Sequence, residues 1–140
     1  MDQWDAGGAG ARFVNFAADL DLMLRLEGQD VILRRTIGTT NQTSVDCTCR
    51  ALVRGYKPDQ LSDSIMQGDT QVIISATDIN RAQWPGGLPI TSPPATTDPR
   101  VPRSGGSDKV VIEGRTKTIM AAEPIYIAGE LVRLNLQVRG

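Results

Sequence analysis

A chain of 140 residues with 40% hydrophobic content is large enough for one compact domain and too apolar for wholesale disorder. It has no apolar run of about 18 residues, which excludes a transmembrane helix, and its opening, MDQWDAGGAG, lacks the basic and apolar regions of a secretory signal. The net charge of -1 gives no general pull toward nucleic acid or membrane, so the expectation is a soluble protein made in the cytoplasm.

The first eight residues read as a glycine-rich arm carrying Trp4, which either docks onto a partner or folds back on its own domain. From Ala9 to Glu27, the helical spacing of Phe13, Phe16, Ala17, Leu20 and Leu24 predicts a helix of four to five turns stopped by Gly28. Trp4, Phe13, Phe16 and Leu20 are the candidate docking residues of this arm and helix. The period then changes to two. Over Asp30 to Ile37, Val31, Leu33 and Ile37 share one face and Ile32, Arg34 and Thr36 the other, with Arg35 interrupting the apolar side.

After the turn-rich GTTNQTS, residues Val45 to Tyr56 put Val45, Cys47, Cys49, Ala51 and Val53 on one face, and the two segments read as an antiparallel pair. Cys47 and Cys49 are therefore expected as buried apolar thiols, because neighbours on one strand face do not bridge easily and the chain has no histidine to complete a metal shell. Pro58 opens a short helical or turn segment, and Thr70 to Ala76 has strand composition.

Residues Pro85 to Ser107 hold six of the eight prolines and four glycines without any period, which predicts a long loop. Beyond it, Lys109 to Glu113, Arg115 to Ala122 and Leu131 to Arg139 have strand character, with turns at Gly114 and Ala128-Gly129-Glu130. In the last of these, Val132, Leu134, Leu136 and Val138 form the buried face. Six or so short strands and one helix predict a mainly β fold. It is a small antiparallel β-barrel or sandwich with the helix packed outside or projecting: residues 1–28 as arm and helix, 29–140 as the barrel carrying loop 85–107.

Catalytic chemistry finds no constellation. Histidine is absent and the acids are scattered over turns and strand exteriors, so no enzyme is expected, and no cofactor or metal. The glycines of GGAGA follow no strand and no Walker-type GK[ST] occurs. Arg34, Arg35, Arg50, Arg54 and Lys57 make either a basic patch on the first hairpin or solvated strand faces, and the second weighs more because dedicated nucleic-acid binders are usually far more basic. Residues 1–33 hold six acids and two bases while the remainder holds ten acids and thirteen bases, so one end of a copy could attract the other end of its neighbour.

From Gln29 onward the order of elements resembles the head-tail joining, head-closure or stopper, family of tailed bacteriophages. DVILRRT, DCTCRALVRGY, QGDTQVIIS, SDKVVIEGRTKTI and GELVRLNLQVRG follow one another in that order. The most specific piece is Asp108-x-Val110-x-x-x-Gly114-Arg115, followed by a strand, a link at Pro124 and a final strand; alone it is also a generic hairpin signature. The resemblance implies a β-barrel that assembles into a homo-oligomeric ring, sixfold or twelvefold, between the portal or adaptor protein and tail proteins in the virion neck. Double-stranded DNA would pass through the ring without sequence recognition, and no membrane is involved. The loop would then close the channel or touch the next ring through Trp84, Pro85, Pro89, Pro93, Pro94, Pro99, Arg100, Pro102 and Arg103. The N-terminal helix departs from the simplest members. A tail-terminator or tail-tube subunit and a small barrel that binds nucleic acid are the competing readings.

Overall fold

A computed structural model describes residues 9–37, 40, 42–85, 98–104 and 108–140, with side chains from residue 16 onward. The elements run α1 (Ala9–Glu27), β1 (Gln29–Ile37), β2 (Thr43–Gly55), β3 (Thr70–Ser75), α2 (Ala76–Ala82), β4 (Asp108–Ile112), β5 (Arg115–Ile127) and β6 (Glu130–Arg139). The strands close into a barrel in the order β1-β2-β3-β6-β5-β4, every neighbouring pair antiparallel. Closure removes most of the open sheet edge, and the alternation along each strand fills the interior. Val31, Leu33, Cys47, Cys49, Ala51, Val72, Ile74, Val110, Ile119, Leu134, Leu136 and Val138 make that core. The mainly β barrel with an N-terminal helix is thus as the residue pattern predicts.

The hairpin joining β4 to β5 turns on Glu113 and Gly114, both at positive φ (51° and 79°), the conformation of a two-residue turn whose twist matches the strands. Ala128 and Gly129 repeat it between β5 and β6. Outside the barrel, Leu20 and Leu24 of α1 lie on Ile73, with Met23 and Leu52 beside them. The helix therefore packs rather than projects. Its C-terminal carbonyls are satisfied from below: Arg50 donates to the oxygens of Leu24 and Arg25, both at 3.1 Å, and the Gly28 N–H donates to Leu24 O at 2.8 Å.

Two expectations need correction. Ala76 does not end β3; it opens a second helix, α2, capped by Ser75, whose Oγ accepts from the Thr77 N–H. Pro124 is not a link, since β5 runs through it to Ile127. The reason is positional: β4 pairs only with Arg115 to Thr118, so Pro124 lies where that side of the strand has no ladder partner and its missing N–H costs little. In β6 the pairing skips Val132 between Ile125↔Arg133 and Tyr126↔Leu131; this bulge brings Leu131 into the barrel core as well, while Val132 is buried as expected, 1% exposed.

At the barrel end away from α2, Asp69 is buried and ties the preceding turn to β6. It accepts from Arg139 at 2.7 and 2.8 Å, from Gln137 at 2.8 Å and from the Met66 N–H at 3.0 Å. These bonds, that from Arg139 foremost, hold its carboxyl well below the usual carboxylate range. A depressed pKa contributes stability that is complete above the ordinary aspartate value of about 4 and is lost as pH falls through the folded value. Asp69→Asn should therefore cost about 2–3 kcal/mol near neutral pH and flatten the loss of melting temperature between about pH 4 and 2. Melts at stepped pH would measure both, and an unchanged acid limb would refute the assignment.

Gly28 lies where α1 meets β2, and a Cβ there would stand 2.5 Å from Leu24 O and 2.7 Å from Ala51 O. Gly28→Ala is expected to destabilise by about 1–3 kcal/mol in urea titration. Gly55→Ala, with nothing within 4 Å of the added methyl, should stay within about 0.5 kcal/mol of the parent or rise slightly.

Candidate functional site

Both roots of the proline-rich loop converge on one end of the barrel. β3 ends there and passes into α2, whose Ile79 is fully buried, and then into Trp84, 2% exposed. The Trp84 indole N–H donates to Val45 O at 2.9 Å, so the ring and α2 cover the β2 backbone where β3 does not reach; Asp78 does the same further along by accepting from the Arg50 N–H at 2.9 Å. From the other root, residues 98–104 form a strap that enters β4 at Asp108.

Arg35 holds these pieces together. Inward on β1 and opposite Asp108 in the ladder, its guanidinium donates to the Asp108 carboxylate at 2.9 and 2.8 Å, to Pro99 O at 2.9 Å and to Val101 O at 3.4 Å. The same group lies 4.7 Å above the Trp84 ring, a cation–π contact. Asp108 also accepts from the Arg103 N–H at 2.6 Å. A second buried pair stiffens the strap: Asp98 accepts from the Arg100 N–H at 2.9 Å and from its side chain at 3.0 and 2.8 Å, while Arg100 reaches Asn80 of α2 at 2.8 Å. Burial alone would raise the Asp98 carboxyl, but these bonds and that from Tyr126 hold it below its ordinary value. Tyr126, by burial and by its 3.0 Å bond to Asp98, is pushed up to about 12.

The sequence-predicted residues are thus placed unequally. Trp84, Arg100 and Pro102 are buried, Pro85 and Pro99 half-buried and Arg103 exposed. The expectation that all of Pro85 to Ser107 lies outside the core is corrected: the strap and Trp84 are part of it, because they carry the partners a buried arginine requires. Pro89, Pro93 and Pro94 lie outside the described residues, as do Trp4 and the side chain of Phe13. Phe16 is exposed, whereas Leu20 is buried against its own barrel and offers nothing to a partner. Gly114 and Arg115 form the turn and begin β5. Asp98, Tyr126 and α2 were not singled out from sequence. Two signals existed: Ser75-Ala-Thr-Asp78 has the spacing of a helix start, and Asp98-Pro99-Arg100 that of an aspartate-initiated turn.

The five cations of the first hairpin do not form one patch. Arg35 is internal, Arg34 pairs with Asp46 through two bonds of 2.9 and 3.0 Å, Arg50 caps α1, and Arg54 donates to Gln71 at 3.0 Å. A cleft of about 400 Å³ between α1, β2 and α2 is lined by polar groups that already satisfy one another: the ion pairs Arg50–Asp30 and Arg81–Asp78, and the Thr77 hydroxyl donating to Asp21. Cys47 and Cys49 are buried free thiols with their sulfurs 3.6 Å apart, and the Cys49 thiol is pushed up by its contact with Cys47 and by burial. No helix among the described residues is long and apolar enough to cross a membrane. No family model matches the sequence, and no curated protein matches it.

Removing one member of a buried ion pair strands the other. Arg35→Met or Asp108→Leu is expected to cost about 3–5 kcal/mol, and the double variant less than the sum. In a Trp4→Phe background, denaturation followed by Trp84 fluorescence reads the coupling directly. Additive losses would show that the pair does not act as a unit.

Proposed function

We propose that the chain is a non-catalytic structural subunit of a bacteriophage neck, assembling into a ring between portal or adaptor and tail in the virion. The reading rests on the resemblance. The single observation that supports it best is a closed antiparallel barrel with a long proline-rich segment whose two buried roots lie at one end. A six-stranded barrel filled by side chains leaves no lumen for a duplex, so a DNA channel arises only at the centre of a ring of copies. Fixed roots suit a segment that must meet a neighbouring ring or the channel at a defined place. The dispersed, already paired cations favour passage of DNA without tight binding over a dedicated nucleic-acid module.

Two measurements test this. Solution mass of the full chain over a range of concentrations should give a closed multimer, and particle imaging should place it at the head-tail junction. Replacing residues 87–96 by an equally long Gly-Ser segment, which spares Trp84 and the strap, should leave the melting temperature within a few degrees while impairing assembly or DNA retention. A strict monomer that is absent from particles would overturn the proposal, and a location farther down the tail would assign it to a tail-tube or terminator ring instead.

A further inference from the structure

Cys47 and Cys49 are the chain's two cysteines, and both point inward from β2, 3% and 1% exposed. They stand on the stretch of β2 that β3 does not reach, since that pairing covers only Ala51 to Gly55. α2 takes the place of β3 there, with Asp78 O 3.6 Å from Cys47 Sγ. Alternate positions on one strand face are about 6.6 Å apart, whereas a disulfide needs Cβ atoms about 3.5–4.5 Å apart, so the pair does not close into a bridge without bending β2. Yet the two sulfurs lean together to 3.6 Å. In a tetrahedral thiolate shell with metal–sulfur bonds of about 2.3 Å, neighbouring sulfurs stand about 3.8 Å apart. The thiols thus already present one edge of such a shell, behind the wall of the cleft that Thr48, Cys49 and Asp78 line.

We propose that Cys47 and Cys49 form a chelating site for a thiophilic divalent cation of the zinc class, entered from the cleft between α1, β2 and α2. Binding is an exchange: the ion displaces one proton from each thiol, both protons leave to solvent, and two metal–sulfur bonds form. Two thiolates cancel the charge of a divalent ion, and a neutral chelate is what an apolar interior tolerates. The hydrogen bond shared by the thiols lowers Cys47 and, together with burial, raises Cys49, so the first proton comes from Cys47. The Asp78 carboxylate acts on both sulfurs, opposing their ionisation alone and favouring a cation beside them. Among the described residues no group of three histidine, cysteine or carboxylate side chains forms. Oxygen therefore completes the shell, from Asp78 O and Thr48 O, 3.6 and 3.9 Å from Cys47 Sγ, and from water in the cleft. An ion held in this way ties β2 to α2, and so to one root of the proline-rich segment. The site does not depend on the neck reading.

The full chain, kept reduced by a phosphine, would be titrated with Zn(II) against a chromophoric chelator and with Co(II) as a spectroscopic stand-in. One ion per chain, release of about two protons for each ion bound and a sulfur-to-cobalt charge-transfer band are expected. The melting temperature should rise with Zn(II) concentration. Cys47→Ala and Cys49→Ala should each weaken binding by more than the roughly 10–100-fold that outer-shell changes cost. Ion-free melts check that these chains fold, and Cys47→Val and Cys49→Val, which fill the vacated space, repeat the test where alanine does not fold. Asp63→Ala, an exposed acid on a turn, should bind like the parent. Binding that persists in the cysteine variants, or that releases no protons and shows no sulfur band, would put the ion on surface carboxylates and overturn the site. A parent chain that takes up no Zn(II) would overturn it as well, and each of these results leaves the ring reading untouched.

Discussion

A guanidinium cannot be left inside a barrel without acceptors, and most of the architecture at one end of this molecule answers that demand. Arg35 occupies an inward position of β1 and is 4% exposed. Its acceptors come from β4 and from the strap, and an aromatic face from the end of α2 covers it. None of these groups is near it in sequence. The ion pair also fixes alignment. Sliding β1 by one residue against β4 would turn Arg35 outward, and sliding by two would part it from Asp108. Whether a pair of leucines would give equal stability is secondary, because leucines would accept several alignments and this pair accepts one.

Periodicity carried much of the fold. The alternation in β1, β2 and β6 was visible because one side of each is buried and the other wet, and the Cys47–Cys49 face and the Gly114 turn followed from the same local rules. Arg35 was visible too, but only as a break in an apolar face. Its sense depends on Asp108, Pro99 and Val101, which lie more than sixty residues away. α2 was lost in the shadow of β3, since seven residues give too little helical period to compete with the strand before them. The strap has no period at all: it is held by buried ion pairs and carbonyl acceptors, and those leave no pattern in a sequence beyond an aspartate ahead of a proline. The burial of Leu131 beside Val132 was not legible, because a bulge changes phase without changing composition.

The polar groups inside the molecule are largely committed to holding the barrel together. Arg50 directs side-chain donors at the end of α1, and Arg100 donates to the Asp98 carboxylate and to Asn80. Apolar side chains also stay in solvent, Leu22 and Leu26 on α1 and Met66 and Met120 elsewhere, around a barrel whose interior is full.

The anchoring of both loop roots at one rim has an evolutionary side. Loop-closure entropy rises only with the logarithm of length, about 0.6 kcal/mol for each doubling. With Trp84 and the strap already pinned to the barrel, lengthening the span between them adds little closure cost, so the strand order should tolerate insertions there. Lineages that meet different neighbours could retune this one stretch and keep everything else. Variation among relatives should therefore fall between residues 86 and 97 and stop sharply at Trp84 and Asp98, where the packing of the barrel begins.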